Sequence, residues 1–293
     1  MKKSNRKFIL AVLIPAFIEV MVFMVIPIIG TFGISFLDYS PLRNTNDFVG
    51  LQNYKKLLTD DVFFTSLKNT LVFTFVAVIL NIIISLGLAT MISQLKSNKT
   101  RSFFRMMSFL PCIAPMVASS VVWSRTIFQT RGGLINALIQ TFGGSPVAWL
   151  ADAKYLMISV IIFTLWADVG YNTILFCAGI DGIPRDVYEA SNLDGASRWA
   201  TFTKITLPLL GRTMTFVVLM TLISYFQMFA QFDILALNGG PQSSGLVLTS
   251  YIYKTAFKYK EMGYAAAISM ALFVIILIVS LIEKKFDKID WEY

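Results

Sequence analysis

The sequence predicts an all-α integral membrane protein with about six transmembrane helices. Three observations carry that expectation. Hydrophobic residues fill 56% of the 293 positions and charged residues 14%, against about 45–50% and about 25% in soluble domains. Six apolar segments are each long enough to cross about 30 Å of hydrocarbon: Ile9–Phe36, Leu67–Ser93, Phe104–Phe128, Leu156–Ile180, Ile205–Phe229 and Gly263–Ile282. Lysines and arginines gather on alternate connections between them.

Taken in order, the basic stretch Met1–Lys7 leads into a long apolar run with no small-residue cleavage site, which predicts a retained first helix. Pro15 and Pro27 in the first span, and Pro111 and Pro115 in the third, are expected to bend their helices. The first external connection, Leu37–Ser66, carries Leu51, Tyr54, Leu57 and Leu58 on one helical face, beside Lys55, Lys56, Asp60 and Asp61. It reads either as an interfacial helix or lid, or as an amphipathic loop on the bilayer. The connection Gln129–Tyr155 brackets Leu134, Leu138 and Phe142 between glycine clusters and predicts a short helix over the outer mouth. Asn238-Gly239-Gly240-Pro241 marks a turn at the outer end of the fifth span. Phe73 and Phe75 read as lipid or helix packing, and Arg125 as snorkelling to the interface.

Fifteen of the 25 basic residues fall on one side: four in the N-terminus, Lys96, Lys99, Arg101 and Arg105, then Arg185, Arg198, Lys204 and Arg212, and finally Lys284, Lys285 and Lys288. Short basic connections stay inside, so both termini and the stretch near residue 190 are expected to be cytoplasmic. The net charge of +8 is thereby explained by topology, and no basic run interleaved with aromatics points to nucleic acid. The chain has no histidine, which removes the commonest proton relay and metal ligand. Cys112 and Cys177 both lie in apolar segments and show neither disulfide nor metal spacing.

One polar interruption organises the chain, from Pro184 to Pro208. Pro184 suits the first turn of a helix. Val187, Ala190, Ser191 and Asp194 follow at helical spacing and give one small, flat face. Gly195 permits a sharp turn, and Asp194 is placed to cap the next helix, which Pro208 interrupts. From spacing alone this is either a docking helix or an ordinary connecting loop.

Glu189-Ala190-Ser191, Gly195 six residues after the glutamate, and Ile205-Thr206-Leu207-Pro208 resemble the EAA loop of ATP-binding-cassette importer permeases. Ser191 departs from the family's usual second alanine, and Gly211-Arg212 from its frequent Arg-Pro pair. Val49-Gly50-Leu51-Gln52-Asn53-Tyr54, Asn69-Thr70, Leu110-Pro111 with Pro115, Trp123, Gly133-Leu134 with Asn136, and Gly239-Gly240-Pro241 with Gly263-Tyr264-Ala265-Ala266 extend the resemblance over about Phe8 to Ile282. They look like the carbohydrate branch, similar to the first permease subunit of maltose and glycerol-phosphate importers. The resemblance implies a type I importer permease fold, with residues 1–66 as a first helix and external connection. Residues 67–283 form the core holding the loop 184–208, and residues 284–293 form a cytoplasmic tail. It implies ATPase coupling through Tyr188, Glu189, Ala190, Ser191, Asp194, Gly195 and Ala196. The implied partners are a homologous second permease, a dimer of ATP-binding subunits carrying the ATP and Mg, an extracytoplasmic solute-binding protein, a sugar and the lipid bilayer. The implied location is a bacterial or archaeal cytoplasmic membrane, and the chain itself is expected to bind no cofactor or metal and to catalyse no reaction. Consistently, the sequence holds no Gly-x-x-x-x-Gly-Lys-Ser/Thr phosphate loop.

Polar residues inside spans are expensive in hydrocarbon and face a cavity or a neighbouring helix. Asp168, Tyr171 and Asn172 share one face of the fourth span; Thr221, Ser224 and Tyr225 repeat that spacing in the fifth, followed by Gln227. These are the candidates for a sugar path, supplying hydroxyl partners and aromatic faces. The alternative is a set of interhelical hydrogen bonds. A sugar-phosphate or polyol importer is the second substrate class. An ion-coupled carrier or a membrane enzyme is disfavoured by the scarcity of intramembrane carboxylates and the lack of histidine.

Overall fold

The computed structural model of the chain describes residues 3–286. Met1, Lys2 and most of the expected cytoplasmic tail, including Lys288, lie outside the described residues. In chain order the first helices are α1 (Lys3–Val20) and α2 (Ile26–Ile34), then strands β1 (Leu37–Ser40) and β2 (Thr45–Phe48). Next come α3 (Gln52–Leu57), α4 (Asp61–Ser93), α5 (Asn98–Ile113), α6 (Met116–Val122) and α7 (Leu134–Thr141). The long α8 (Ala153–Asp181) precedes α9 (Arg185–Leu193), α10 (Arg198–Thr201), α11 (Leu207–Leu209) and α12 (Gly211–Phe226). The chain closes with α13 (Ala230–Leu235), α14 (Leu248–Tyr253) and α15 (Met262–Phe286).

Four stretches cross a membrane's thickness unbroken: Ala11–Ile34, Asp61–Ser93, Ala153–Asp181 and Met262–Glu283. The remaining two expected spans are broken. Asn98–Ile113 and Met116–Ile127 meet at 88°, and Arg198–Leu209 and Gly211–Phe226 at 70°. At the first break Pro115 holds Ala114 in an extended conformation (φ −68°, ψ 134°), because proline disfavours helix in the residue before it. At the second, Leu210 leaves helical geometry two residues after Pro208. Pro15 and Pro27, by contrast, leave Ala11–Ile34 one continuous span. Ahead of Pro27 the helix widens into a π-turn, Met21–Val25, in which the Ile26 N–H reaches the Met21 carbonyl.

Packing divides the chain into two compact units: residues up to Phe63 with Tyr251–Val274, and Phe64–Ser250 with the chain from Ile275 on. In the first, the connection read as helix or loop is a short antiparallel hairpin, Leu37 opposite Phe48 and Ser40 opposite Thr45, followed by α3. Its strands are only four residues long; β1 (Leu-Asp-Tyr-Ser) alternates apolar and polar, but β2 (Thr-Asn-Asp-Phe) does not, so the pair leaves no sustained period-2 signal. Of the predicted face, Leu57 is buried and Tyr54 half-buried while Leu51 and Leu58 remain exposed. Asn53 Nδ2 donates to the carbonyls of Ser35 (2.9 Å) and Leu37 (3.0 Å), and Tyr54 shares a 2.7 Å hydrogen bond with Ser35. Asp60 ties three segments together. Its Oδ1 accepts from the Val62 and Phe63 N–H groups at the start of α4, and its Oδ2 accepts the Tyr251 and Tyr264 hydroxyls, each at 2.5 Å. Burial works to raise its pKa, but these four hydrogen bonds outweigh it and hold the carboxyl below the usual aspartate value. Lys56 Nζ pairs with Glu261 at 2.7 Å and sits 4.1 Å from the centre of the Tyr264 ring.

The second unit is built around α8, whose Leu156, Val160, Phe163 and Phe176 are fully enclosed. Gly170 lets α5 run against it: a Cβ there would lie 1.8 Å from the Ser108 carbonyl oxygen. Phe73, read as packing, is buried against Phe232 (ring centres 4.8 Å apart) and Tyr225 (5.7 Å). Three landmark asparagines and threonines prove to be loop anchors. Asn69 Nδ2 donates to the carbonyls of Ser243 and Leu246, and Thr70 Oγ1 accepts the Leu248 N–H. Asn136 accepts from the Val147 N–H and Trp149 Nε1 while donating to the Val147 carbonyl, fixing the connection that carries the predicted helix α7.

Candidate functional site

Pro184 stands one position before α9 as its N-cap residue, in an extended conformation that releases the chain from α8. Asp186 in the first turn complements the helix dipole. The helix ends in two nested hydrogen bonds, Ala196 N–H to Ser191 carbonyl (3.1 Å) and Gly195 N–H to Asn192 carbonyl (3.1 Å). Gly195 between them has φ +72°, where a side chain is disfavoured; this is the Schellman C-terminal motif. The expected capping role of Asp194 falls to another residue. Asp194 sits at the C-terminal end of α9, and Ser197 Oγ caps α10 by accepting the Ala200 N–H at 3.2 Å.

One face of α9 is pinned to the segment that follows it. Ser191, in the position where the resemblance calls for alanine, is buried and bonds Thr201 Oγ1 at 2.9 Å; Tyr188 Oη bonds Thr206 Oγ1 at 3.2 Å. Glu189, Ala190, Asp194 and Gly195 face outward, and Ala196 is half-buried. Sequence reading missed two residues here: Leu193, 89% exposed, and Trp199, 72% exposed, flank the turn as bare apolar side chains. Their signal was their apolarity inside an otherwise polar stretch.

Inside the spans the structure joins four of the seven path candidates. Asn172 Nδ2 donates to Asn81 Oδ1 (2.7 Å) and to Thr221 Oγ1 (2.9 Å), and Asn81 Nδ2 donates to Tyr225 Oη (2.8 Å). The Tyr225 hydroxyl also faces the Asp168 carboxylate. Asn81, Asn172, Thr221 and Tyr225 are buried, Asn81 completely, while Asp168 is half-buried. The network links α4, α8 and α12, and every donor of the two asparagine side chains that it uses is aimed at an acceptor. Tyr171, Ser224 and Gln227 stand apart from it with exposed side chains. Asn81 was missed by sequence reading; a lone amide between Leu80 and Ile82 in an apolar span was the available clue. Among the described residues no three His, Cys, Asp or Glu side chains converge as a metal site.

Broken and continuous apolar spans, a buried polar seam between them and a rigid, outward-facing polar helix define a polytopic membrane permease subunit. The chain belongs to the family of binding-protein-dependent transport system inner membrane components, whose pattern it matches over residues 81–288. It is 34% identical over 271 residues to the arabinooligosaccharides transport system permease protein AraP of Bacillus subtilis (strain 168), covering 92% of this chain and 85% of that one. The lactose transport system permease protein LacF of Rhizobium radiobacter is 32% identical over 272 residues, covering 92% and 90%. The fold of this chain matches a chain in the crystal structure of a bacterial alginate ABC transporter in complex with an alginate pentasaccharide-bound periplasmic protein. The TM-score is 0.85 at 23% identity, over 97% of this chain and 95% of that one.

Proposed function

We propose that this chain is one of two permeases forming the import path for a carbohydrate, and that ATP hydrolysis on a separate pair of subunits drives it through α9. The observation that carries the reading is the build of α9–Gly195–Trp199. Its inner face is locked by Ser191–Thr201 and Tyr188–Thr206, so force applied to Glu189, Leu193 or Trp199 reaches α12 through the bent 198–209 segment without being lost in the loop. Closure of two ATPase subunits is then a rigid-body bias on an inward–outward equilibrium. The Lys and Arg distribution supports placing α9 and both termini on the cytoplasmic side of a bacterial or archaeal inner membrane.

Carbohydrate is favoured by the relatives AraP and LacF, whose names assign them oligosaccharide and lactose transport. It is favoured also by the exposed polar candidates Tyr171, Ser224 and Gln227 beside the buried seam, which supply hydroxyl, amide and aromatic groups but no cation. A sugar phosphate would want a fixed guanidinium or ammonium there. Within the candidate set, exposed Tyr171, Ser224 and Gln227 are assigned to the substrate, and Asn172, Thr221 and Tyr225 to the scaffold that carries Asp168. An external solute-binding protein delivers the substrate.

The test is co-expression of this chain with an ATPase and a second permease that assemble with it. Glu189→Arg or Gly195→Arg abolishes uptake and substrate-stimulated ATP hydrolysis while the chain still inserts. Unchanged uptake in both variants removes the coupling role from this helix.

A further inference from the structure

Where the ends of α4 and α8 meet the start of α5 and the α9–α10 turn, the second unit has a half-open recess of about 690 Å³. Its wall holds three guanidinium groups, Arg101, Arg185 and Arg198, and one carboxylate, Asp181. That carboxylate is already neutralised. Arg105 Nη2 lies 2.7 Å from Asp181 Oδ2, and Arg101 Nη1 lies 3.9 Å from Oδ1. Arg101 is further fixed by donating to the carbonyls of Leu95 (2.6 Å) and Ser93, which closes the last turn of α4. Arg185 and Arg198 are different: both are exposed, and among the described residues neither forms an ion pair. The cavity therefore carries surplus positive charge, with the amides of Asn98 and Asn192 as neutral donors beside it.

Guanidinium forks match the oxygens of a phosphate in geometry and charge, and among the described residues no ion pair occupies the two forks that line this recess. We propose that this cavity is a regulatory phosphate site, filled by the headgroup of an anionic lipid or by a soluble phosphate ester. The recess is much larger than a lone inorganic anion requires, leaving room for the group the phosphate esterifies. It lies where apolar spans end, the level at which lipid phosphates sit and at which basic pockets between spans bind them.

The mechanical consequence follows from which elements carry each arginine. Arg101 belongs to α5 and grips α4, whereas Arg185 and Arg198 open α9 and α10. The side-chain hydrogen bonds of Tyr188 and Ser191 run to residues 201–206, while Val187 and Tyr188 hold α9 to the spans by apolar packing against the cluster that includes Leu86 and Ile180. A phosphate held by both sets adds a polar tie to that apolar packing and stiffens the mount of α9.

The experiment uses the full-length chain, with no ATPase present, so its outcome is separate from that of the coupling reading. Thermal unfolding and retained lipid (by native mass spectrometry) are measured in phosphatidylcholine nanodiscs, in nanodiscs containing phosphatidylglycerol, and in phosphatidylcholine with added inorganic phosphate at matched ionic strength. Phosphatidylglycerol or phosphate raises the unfolding temperature, and Arg185→Gln with Arg198→Gln weakens that binding by about tenfold or more. A response to phosphatidylglycerol alone identifies a lipid, and a response to free phosphate identifies a soluble ester. Arg212→Gln, on an exposed basic residue outside the cavity, leaves the response intact. The proposal is overturned by no response to either anion, by an equal response in the double variant, or by an equal loss in Arg212→Gln.

Discussion

The side-chain amide of Asn172 donates to that of Asn81 across 2.7 Å, joining α8 to α4 in the interior of the second unit. Removing one partner strands the other. Asn172→Leu leaves Asn81 Oδ1 and its neighbour Thr221 short of a donor and destabilises the chain by about 1 kcal/mol, up to about 2. Asn81→Leu together with Asn172→Leu recovers much of that loss, because an apolar pair needs no partners. Unfolding of the purified single and double variants in detergent measures the coupling; strictly additive losses count against the network.

Two tyrosines of the candidate set separate path from scaffold. Tyr171 is 53% exposed and Tyr225 is 2% exposed. Tyr171→Ala raises the KM for uptake about tenfold and leaves the unfolding temperature unchanged, as expected for a side chain that meets a sugar. Tyr225→Ala lowers the unfolding temperature, since it empties a site packed against Phe73 and frees both Asn81 and Asp168. Transport kinetics and thermal unfolding on the same two preparations check the split; an unchanged KM in Tyr171→Ala removes that residue from the path.

The turn after α9 makes a graded prediction. Gly195→Ala forces a Cβ into a left-handed conformation (φ +72°) at a cost of about 1 kcal/mol, and Gly195→Asn costs less. Leu193→Asp and Trp199→Ala alter exposed side chains, so they leave stability alone yet reduce capture of the ATPase subunits. Copurification yields rank the four variants. Full capture by Leu193→Asp and Trp199→Ala together would show that the apolar pair is not the contact.

Asp60 predicts an acid limit to stability. Its folded pKa is lowered, so the stabilisation is complete above the ordinary aspartate value near about 3.9 and is lost as pH falls through the lower folded value. Wild-type chain loses thermal stability as pH drops below about 4, whereas Asp60→Asn starts lower and shows a flatter pH dependence over that window. Tyr251→Phe with Tyr264→Phe removes two of the four donors and moves the acid transition upward. Parallel pH profiles for wild type and Asp60→Asn would exclude Asp60 as the group responsible.

Membrane residence, the apolar spans and the position of α9 were legible because each rests on a local property. Apolar length marks a span, proline disfavours helix in the residue before it, and glycine after a polar helix permits a left-handed turn. Ala114–Pro115 and Gly195 behave as their neighbours dictate. Where the reading ran out, the deciding partner was distant. Asp194 yielded the capping role to Ser197 because the turn geometry put the serine at the helix start. The hairpin at Leu37–Phe48 had only four alternating residues in its first strand and none in its second to betray it.

By itself the chain determined that it is built of apolar spans for a bilayer and where a stiff polar knob interrupts them, since transfer free energy and backbone sterics act within a few neighbouring residues. Only tertiary structure decided which polar side chains turn inward. Asn81 and Asn172 are separated by 91 positions, and Asp60 and Tyr264 by 204. A hydrogen bond in an apolar surrounding forms with whatever donor the packing of helices delivers, and helical periodicity places a residue on a face without saying what that face will meet.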